Sequence, residues 1–332
     1  MVTLSDIAKE VGVAPQVVSR VLNGGKGTAS ARAQVRDQIR EVAARRGYRP
    51  FAAGQILRAR AFHSVGVLIG HAQDFLISQD ALAGLASGLS RHNYTATLHY
   101  VEATTDAELL DSRLLSSRLT DAIIMPYVRP PSRVLLRALR ALPVPVIWMN
   151  RQARTDALAM DELGAGKMLA RHLCEQGYRN ITFVDYSSGG RDQHTRERMK
   201  GVSAAVRDRG LNVTFVTEQI ARPDRATAAR ALLRPSLRRG AVIVNWLSAA
   251  QVILQVAQSL NWRIPEDLAI ASFDDGRHHS ASVPAITCAI RPEFQFGEIA
   301  AELILKRLQD PARPQPSRRL SFNLVVGGST KR

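Results

Sequence analysis

Gln16 and Arg20 stand four residues apart, so on a helix both side chains leave the same face. Their chemistry suits the edges of bases. A Gln amide forms paired hydrogen bonds with N6 and N7 of adenine, and an Arg guanidinium does so with O6 and N7 of guanine, both in the major groove. Thr3, Ser19 and Asn23 are short polar residues near them, suited to phosphate contacts that fix register without reading sequence. Spacing alone leaves open the plainer alternative that Gln16 and Arg20 only form a solvated face. A second group lies far downstream. Asn245 and Asp274, an amide and a carboxylate, accept and donate in the pattern that adjacent hydroxyls require, as on a polyhydroxylated ligand. His278 and His279 with Asp274 and Asp275 could hint at a metal, but no second cluster completes a ligand set, so a loop is the expectation, with no metal and no cofactor. Ser187-Ser188-Gly189-Gly190 lacks the pattern of a phosphate loop and reads as a flexible loop. His172, inside an apolar helical stretch, reads as packed. No paired acid and base or activated nucleophile has identifying spacing, which argues against an enzyme.

Three short helices must position Gln16 and Arg20. Leu4, Ile7, Ala8 and Val11 form one apolar stripe, with Ser5 as a plausible cap and Gly12 as a break. Pro15 opens a second helix whose inner side is Val17, Val18, Val21 and Leu22. Val35, Ile39 and Val42 make a third, which stops near Gly47-Tyr48-Arg49-Pro50. A Gly-containing turn between the first two predicts a helix-turn-helix.

From Val65 onward, apolar runs at 65–69, 96–100, 122–125, 144–149, 181–184, 213–216, 241–244, 268–273 and 286–290 alternate with amphipathic stretches. That alternation predicts an α/β fold of parallel sheets covered on both faces, and so many strands predict two lobes. Ligands in such folds sit beyond the carboxyl ends of the strands. Polar residues that follow the runs are therefore candidates: Gln73, Asp74, Tyr127, Asn150, Arg151, Asn245, Asp274 and Asp275.

The whole chain of 332 residues carries a formal charge of +16, and the first 60 residues hold +7 of it. A basic excess favours a polyanion such as nucleic acid. Cys174 and Cys288 lack disulfide or metal spacing, and no signal pattern or membrane-length apolar run is visible, so a reducing, cytoplasmic setting is expected.

Thr3-Leu4-Ser5-Asp6-Ile7-Ala8, Val11-Gly12-Val13, Val18-Ser19-Arg20-Val21-Leu22-Asn23 and Gly47-Tyr48-Arg49-Pro50 together resemble the N-terminal signature of the lactose repressor and galactose repressor family. Pro145-Val146-Ile147 leading to Asn150-Arg151, Arg198-Met199-Lys200-Gly201, Asn245, and Pro265-Glu266-Asp267-Leu268 leading to Phe273-Asp274-Asp275 are similar to its effector-domain landmarks. The resemblance implies a helix-turn-helix over residues 1–50, a hinge over 51–61 and a bilobed, periplasmic-binding-protein-like α/β domain over 62–330. The N-lobe is then about 62–158 and 291–320, and the C-lobe about 159–290 and 321–330.

It also implies a transcriptional repressor, not an enzyme, that binds a palindromic double-stranded operator as a homodimer and is controlled by a small-molecule effector, most simply a carbohydrate, with no membrane partner. Without a C-terminal heptad repeat, a dimer is preferred to a tetramer. Pro15, Gln16 and Arg20 match base-reading positions. Ala53 and Leu57 match a hinge helix whose Leu wedges into the minor groove, the alternative being an ordinary linker. Arg198, Asn245 and Asp274 match ligand-contacting positions, with Asn150 beside them. Ala14, Val17, Phe51, Gly54 and Trp246 depart from the family pattern. Trp246 stands where Asp is common, and either stacks on a ring or packs at the lobe interface.

Overall fold

A computed structural model describes residues 2–22, 33–49, 61–70, 77–102, 105–117, 119–126, 130–274, 276 and 279–331. Asn23, Ala53, Leu57, Gln73, Asp74, Tyr127, Asp275, His278 and the side chain of His279 lie outside the described residues, as do Phe51 and Gly54.

The chain divides into two compact units, Met1–Phe62 and His63–Arg332. In the first, α1 (Leu4–Val11), α2 (Pro15–Leu22) and α3 (Ala33–Arg45) enclose Ile7, Ala8, Val18, Val21, Ile39, Val42 and Ala43. Thr3, not Ser5, caps α1. The Thr3 hydroxyl accepts the Asp6 N–H at 3.3 Å and the Asp6 carboxylate accepts the Thr3 N–H at 2.9 Å. This reciprocal box satisfies two amides that would otherwise lack partners, which a cap at Ser5 would not. Gly12 ends α1 at φ +75°, a left-handed conformation that costs glycine nothing. Glu10 pairs with Arg45 and Arg46 and ties α1 to the end of α3.

The second unit contains two sheets. The first has the order β11-β5-β4-β3-β1-β2, all parallel, from β1 (Ser64–Gly70), β2 (Thr95–Val101), β3 (Ala122–Met125), β4 (Val146–Met149), β5 (Ala157–Met160) and β11 (Arg318–Leu320). The second has the order β12-β10-β9-β8-β6-β7, from β6 (Ile181–Asp185), β7 (Val213–Thr217), β8 (Gly240–Val244), β9 (Leu268–Asp274), β10 (Thr287–Ile290) and β12 (Asn323–Val325). It is parallel except where β12 runs against β10. β5, β11 and β12 are absent from the apolar runs read in the sequence. Ala157-Leu158-Ala159-Met160 consists of good helix formers, and only its pairing with β4 and β11 makes it a strand.

Alternation along the strands divides each core in two. In the first sheet, Val65, Val67, Ile147 and Met149 face α4 (Gln79–Ser90) and α12 (Glu293–Gln309), while Leu68, Ile123, Met125 and Trp148 face α5 (Asp106–Leu110), α6 (Arg113–Ser116) and α7 (Arg133–Ala141). In the second, Ile181 and Phe183 face α8 (Glu162–Glu175) and α9 (Gln193–Arg207), while Val184, Val242 and Val244 face α10 (Arg225–Leu232) and α11 (Leu247–Ser259). Short residual alternation of this kind is what a parallel sheet buried on both sides produces. The chain passes between the sheets after β5, after β10 and between β11 and β12. No helix among the described residues is long and apolar enough to cross a membrane.

Candidate nucleic-acid face and ligand cleft

On α2, Pro15, Gln16 and Arg20 are exposed while Val18 and Val21 are buried. The helix thus uses one side for the core and presents the other to solvent. Val17 is half-buried against that core, which accounts for an apolar residue there. Ser19 is half-buried at the edge of the exposed face. The Thr3 hydroxyl, expected to meet a phosphate, also donates to the Asp6 carboxylate at 2.8 Å and serves as the helix cap.

The downstream site begins with two glycines. A Cβ on Gly166 of α8 would lie 2.2 Å from the Arg198 carbonyl oxygen, and one on Gly201 of α9 would lie 2.1 Å from that of Leu163. The helices approach so closely only because both lack side chains there. That approach sets Glu162 against Arg198, whose Nε lies 2.7 Å from the carboxylate although both residues are almost fully buried. Gly166→Ala is expected to force α8 and α9 apart, lowering the free energy of urea unfolding by about 1–3 kcal/mol.

Arg198 Nη1 donates to the backbone oxygen of Asn245 at 2.8 Å and to its Oδ1 at 3.1 Å. The Asn245 amide nitrogen donates in turn to Asp185 at 3.1 Å and Thr195 at 2.8 Å. Asn245 therefore stands behind Arg198 and orients it. The second terminal nitrogen of Arg198, Nη2, is buried and has no hydrogen-bond partner. A buried N–H group without an acceptor is costly, and a ligand oxygen placed there would relieve that cost.

Arg198 faces a cavity of about 100 Å³ between the two sheets. Asn150, at the end of β4, and Asp274, at the end of β9, line it, with Trp246 following β8 and Arg291 following β10. These are the carboxyl ends of parallel strands, where the strand order of α/β sheets leaves room for a ligand. The rings of Trp246 and Phe273 lie 5.2 and 4.2 Å from the Arg198 guanidinium carbon. Asn150 takes φ +60° and accepts from Arg291 Nη2 at 3.0 Å. Of the effector residues named from the sequence, Asn150, Arg198, Trp246 and Asp274 share this cavity, and Asn245 lies one layer outside it.

Sequence reasoning missed Arg291, Glu162, Glu293 and Asp185. Arg291 Nε is 2.7 Å from Glu293, and its Nη1 and His194 Nδ1 approach the same Glu162 oxygen, Oε1, at 3.8 and 3.3 Å. Burial alone would raise the Glu162 carboxyl, but the Arg198 charge, the His194 hydrogen bond and the Arg291 charge outweigh it and hold its pKa far below the ordinary range. Arg291 and Asp185 each follow an apolar run directly, so the strand-end rule that selected Asn150 also covers them.

Ser187-Ser188-Gly189-Gly190 is not a free phosphate cradle, nor is it loosely tethered. The Asp185 carboxylate fills it, accepting from the N–H groups of Ser187, Ser188 and Gly190 and from both serine hydroxyls. Burial opposes this charge, and those hydrogen bonds outweigh burial to lower the pKa of Asp185. His172 is buried and shares a 2.8 Å hydrogen bond with Thr330. Among the described residues no group of three or more His, Cys, Asp or Glu is arranged to hold a metal ion.

The chain is similar to known proteins over nearly its whole length. The ribose operon repressor of Escherichia coli (strain K12) is 24% identical over 337 residues, covering 99% of this chain and all of the repressor. The lac repressor dimer bound to operator and the anti-inducer ONPF superposes with a TM-score of 0.83 at 18% identity, over 100% of this chain and 99% of that one. The transcriptional regulator CelR in complex with cellobiose gives 0.67 at 20% identity, over 99% of this chain and 100% of that one. At such identities the structures establish a shared fold. Residues 170–330 match the periplasmic binding protein-like domain, and residues 3–50 match the lacI family of bacterial regulatory proteins. With both parts present in one chain, and Gln16 and Arg20 exposed on the second of three packed helices, the chain belongs to the lacI family of bacterial regulatory proteins.

Proposed function

We propose that the chain is a cytoplasmic transcriptional repressor that binds a palindromic operator as a homodimer and is switched by a small ligand, a sugar or sugar derivative. It acts as a regulator and not as an enzyme. Pro15, Gln16 and Arg20 read bases, and Ser19 and Asn23 steady the backbone with Thr3 at the helix start. Residues 1–50 form the DNA-binding domain, 51–61 the hinge with Ala53 and Leu57 in the minor groove, and 62–330 the ligand-binding and dimerisation domain. Arg198, Asp274, Asn150 and Trp246 hold the ligand, with Asn245 fixing Arg198.

The observation that carries this reading is the buried Arg198, which lines the cavity and whose Nη2 has no hydrogen-bond partner. A ligand hydroxyl or ring oxygen supplies the missing acceptor, and Trp246 offers an apolar face to a sugar ring. The sugar repressor and the cellobiose complex among its relatives support that class. Because the cavity is bounded by both lobes, ligand favours one lobe arrangement, and operator affinity changes by the same free energy that couples the two sites.

The test is operator selection with purified full-length protein, followed by binding at several salt concentrations. A palindromic site should emerge, with affinity falling steeply as salt rises because phosphate contacts release counterions. Arg20→Ala should cost about 1–3 kcal/mol on the selected site and relax the preference at one base pair in each half-site. Unchanged preference in that variant would remove Arg20 from the reading.

A further inference from the structure

The connection from β4 to β5 is too short for the helix that parallel neighbours ordinarily require. Only residues 150–156 separate the two strands, whereas a parallel crossover usually needs roughly a dozen residues or more and carries a helix back over the sheet. This connection therefore adds no helix beyond α7, against whose Leu135 and Leu139 Trp148 is buried. Arg151 lies over the indole instead, its guanidinium carbon 4.6 Å from the ring centroid. What remains is a surface groove of about 680 Å³, floored by the half-buried Leu136, Leu142 and Val144 and edged by Arg140, Arg151 and Arg154. Arg307 also reaches it, but is paired with Asp156 at 3.1 Å. Arg140, Arg151 and Arg154 form no ion pair with any described residue, and Asp156 is the one acidic side chain along the described lining.

We propose that this groove docks an acidic peptide segment of a partner protein, with apolar side chains against Leu136, Leu142 and Val144 and carboxylates against Arg140, Arg151 and Arg154. Charge complementarity selects the occupant. Three uncompensated guanidinium groups match carboxylates in geometry as well as in sign, each able to form paired hydrogen bonds. The apolar floor separates a peptide from a nucleic acid, because a phosphate backbone would leave Leu136, Leu142 and Val144 without a counterpart. The groove shares no lining residue with the cavity that holds Arg198, so ligand and partner can act on the same chain.

A library of random twelve-residue peptides selected on the full-length protein tests the proposal. Recovered peptides should set Asp or Glu beside Leu, Phe or Trp. Their affinity should fall with rising salt, and at least about tenfold on a variant carrying Arg140→Glu and Arg154→Glu, since like charges across an interface are repulsive. Both side chains are exposed, so the circular dichroism of the variant should match the parent. Recovery of no peptide, or of peptides that bind parent and variant equally, would overturn the proposal. So would displacement of the peptides by a non-operator DNA duplex whose own binding is lost in the variant, because the groove would then be a phosphate contact.

Discussion

Glu162→Leu should lower the free energy of unfolding by about 3–5 kcal/mol, the cost of leaving buried cations without their counter-charge. Arg198 and Arg291 both face this carboxylate with almost no solvent to replace it. The midpoint of urea unfolding measures the loss. Removing the opposite charge as well should restore much of it. Arg198→Met in the Glu162→Leu background replaces an ion pair by packed apolar groups, an exchange that is often near neutral. A double variant no more stable than the two single losses added together would show that the pair is not coupled.

The same carboxylate makes stability depend on pH. Its pKa in the folded protein lies below the ordinary 4.5, so its contribution is complete above that value and is lost as the pH falls from there. The parent should therefore lose stability more steeply below pH 4.5 than Glu162→Leu does. Parallel unfolding curves for the two proteins in acid would contradict this origin.

Arg198→Met should abolish thermal stabilisation by whichever sugar in a panel of ribose, glucose, galactose and cellobiose most stabilises the parent. Hydrogen bonds from a charged group contribute about 1.5–3 kcal/mol each, so the loss of even one weakens binding by roughly 10- to 150-fold. Bound ligand stabilises the folded chain by mass action, and a loss of that size removes most of the shift at moderate concentrations. Arg198→Lys should not rescue it. An ammonium lacks the planar fork that lets Nε meet Glu162 and Nη1 meet Asn245 while Nη2 is left for a ligand oxygen. Retention of the full ligand-induced shift in Arg198→Met would exclude Arg198 from ligand contact.

The helix-turn-helix was legible because its information is local: stripes at helical spacing, Gly12, and Pro15 in consecutive short segments. Its cap was misassigned for a local reason too, since Ser5 has the right chemistry but only Thr3 has Asp6 three residues on. The doubly covered sheets were legible from alternating runs, and the strand-end rule led to Asn150 and Asp274. It reached the cavity less completely because proximity across the fold leaves no trace in spacing. Nothing near Glu162 in the sequence announces Arg198, 36 residues away, and only the glycines at 166 and 201 let those helices meet. Asn245 fell at a strand end as expected, yet its amide is already occupied by Asp185 and Thr195, a fact set by three separate elements.

Neither half of the larger unit is a continuous length of chain. The sheet that begins at Ser64 is not finished until α12 and β11 arrive, with residues 161–292 in between, so assembling it means closing a long loop before its packing is rewarded. Synthesis from the ribosome must then leave the early strands waiting for a distant edge. A stop codon anywhere in that intervening stretch deprives both halves at once, because β11 and β12 belong to different sheets. Truncation fragments of this protein are accordingly poor stand-ins for either lobe, and a faithful single-lobe version needs a short loop in place of the excised stretch.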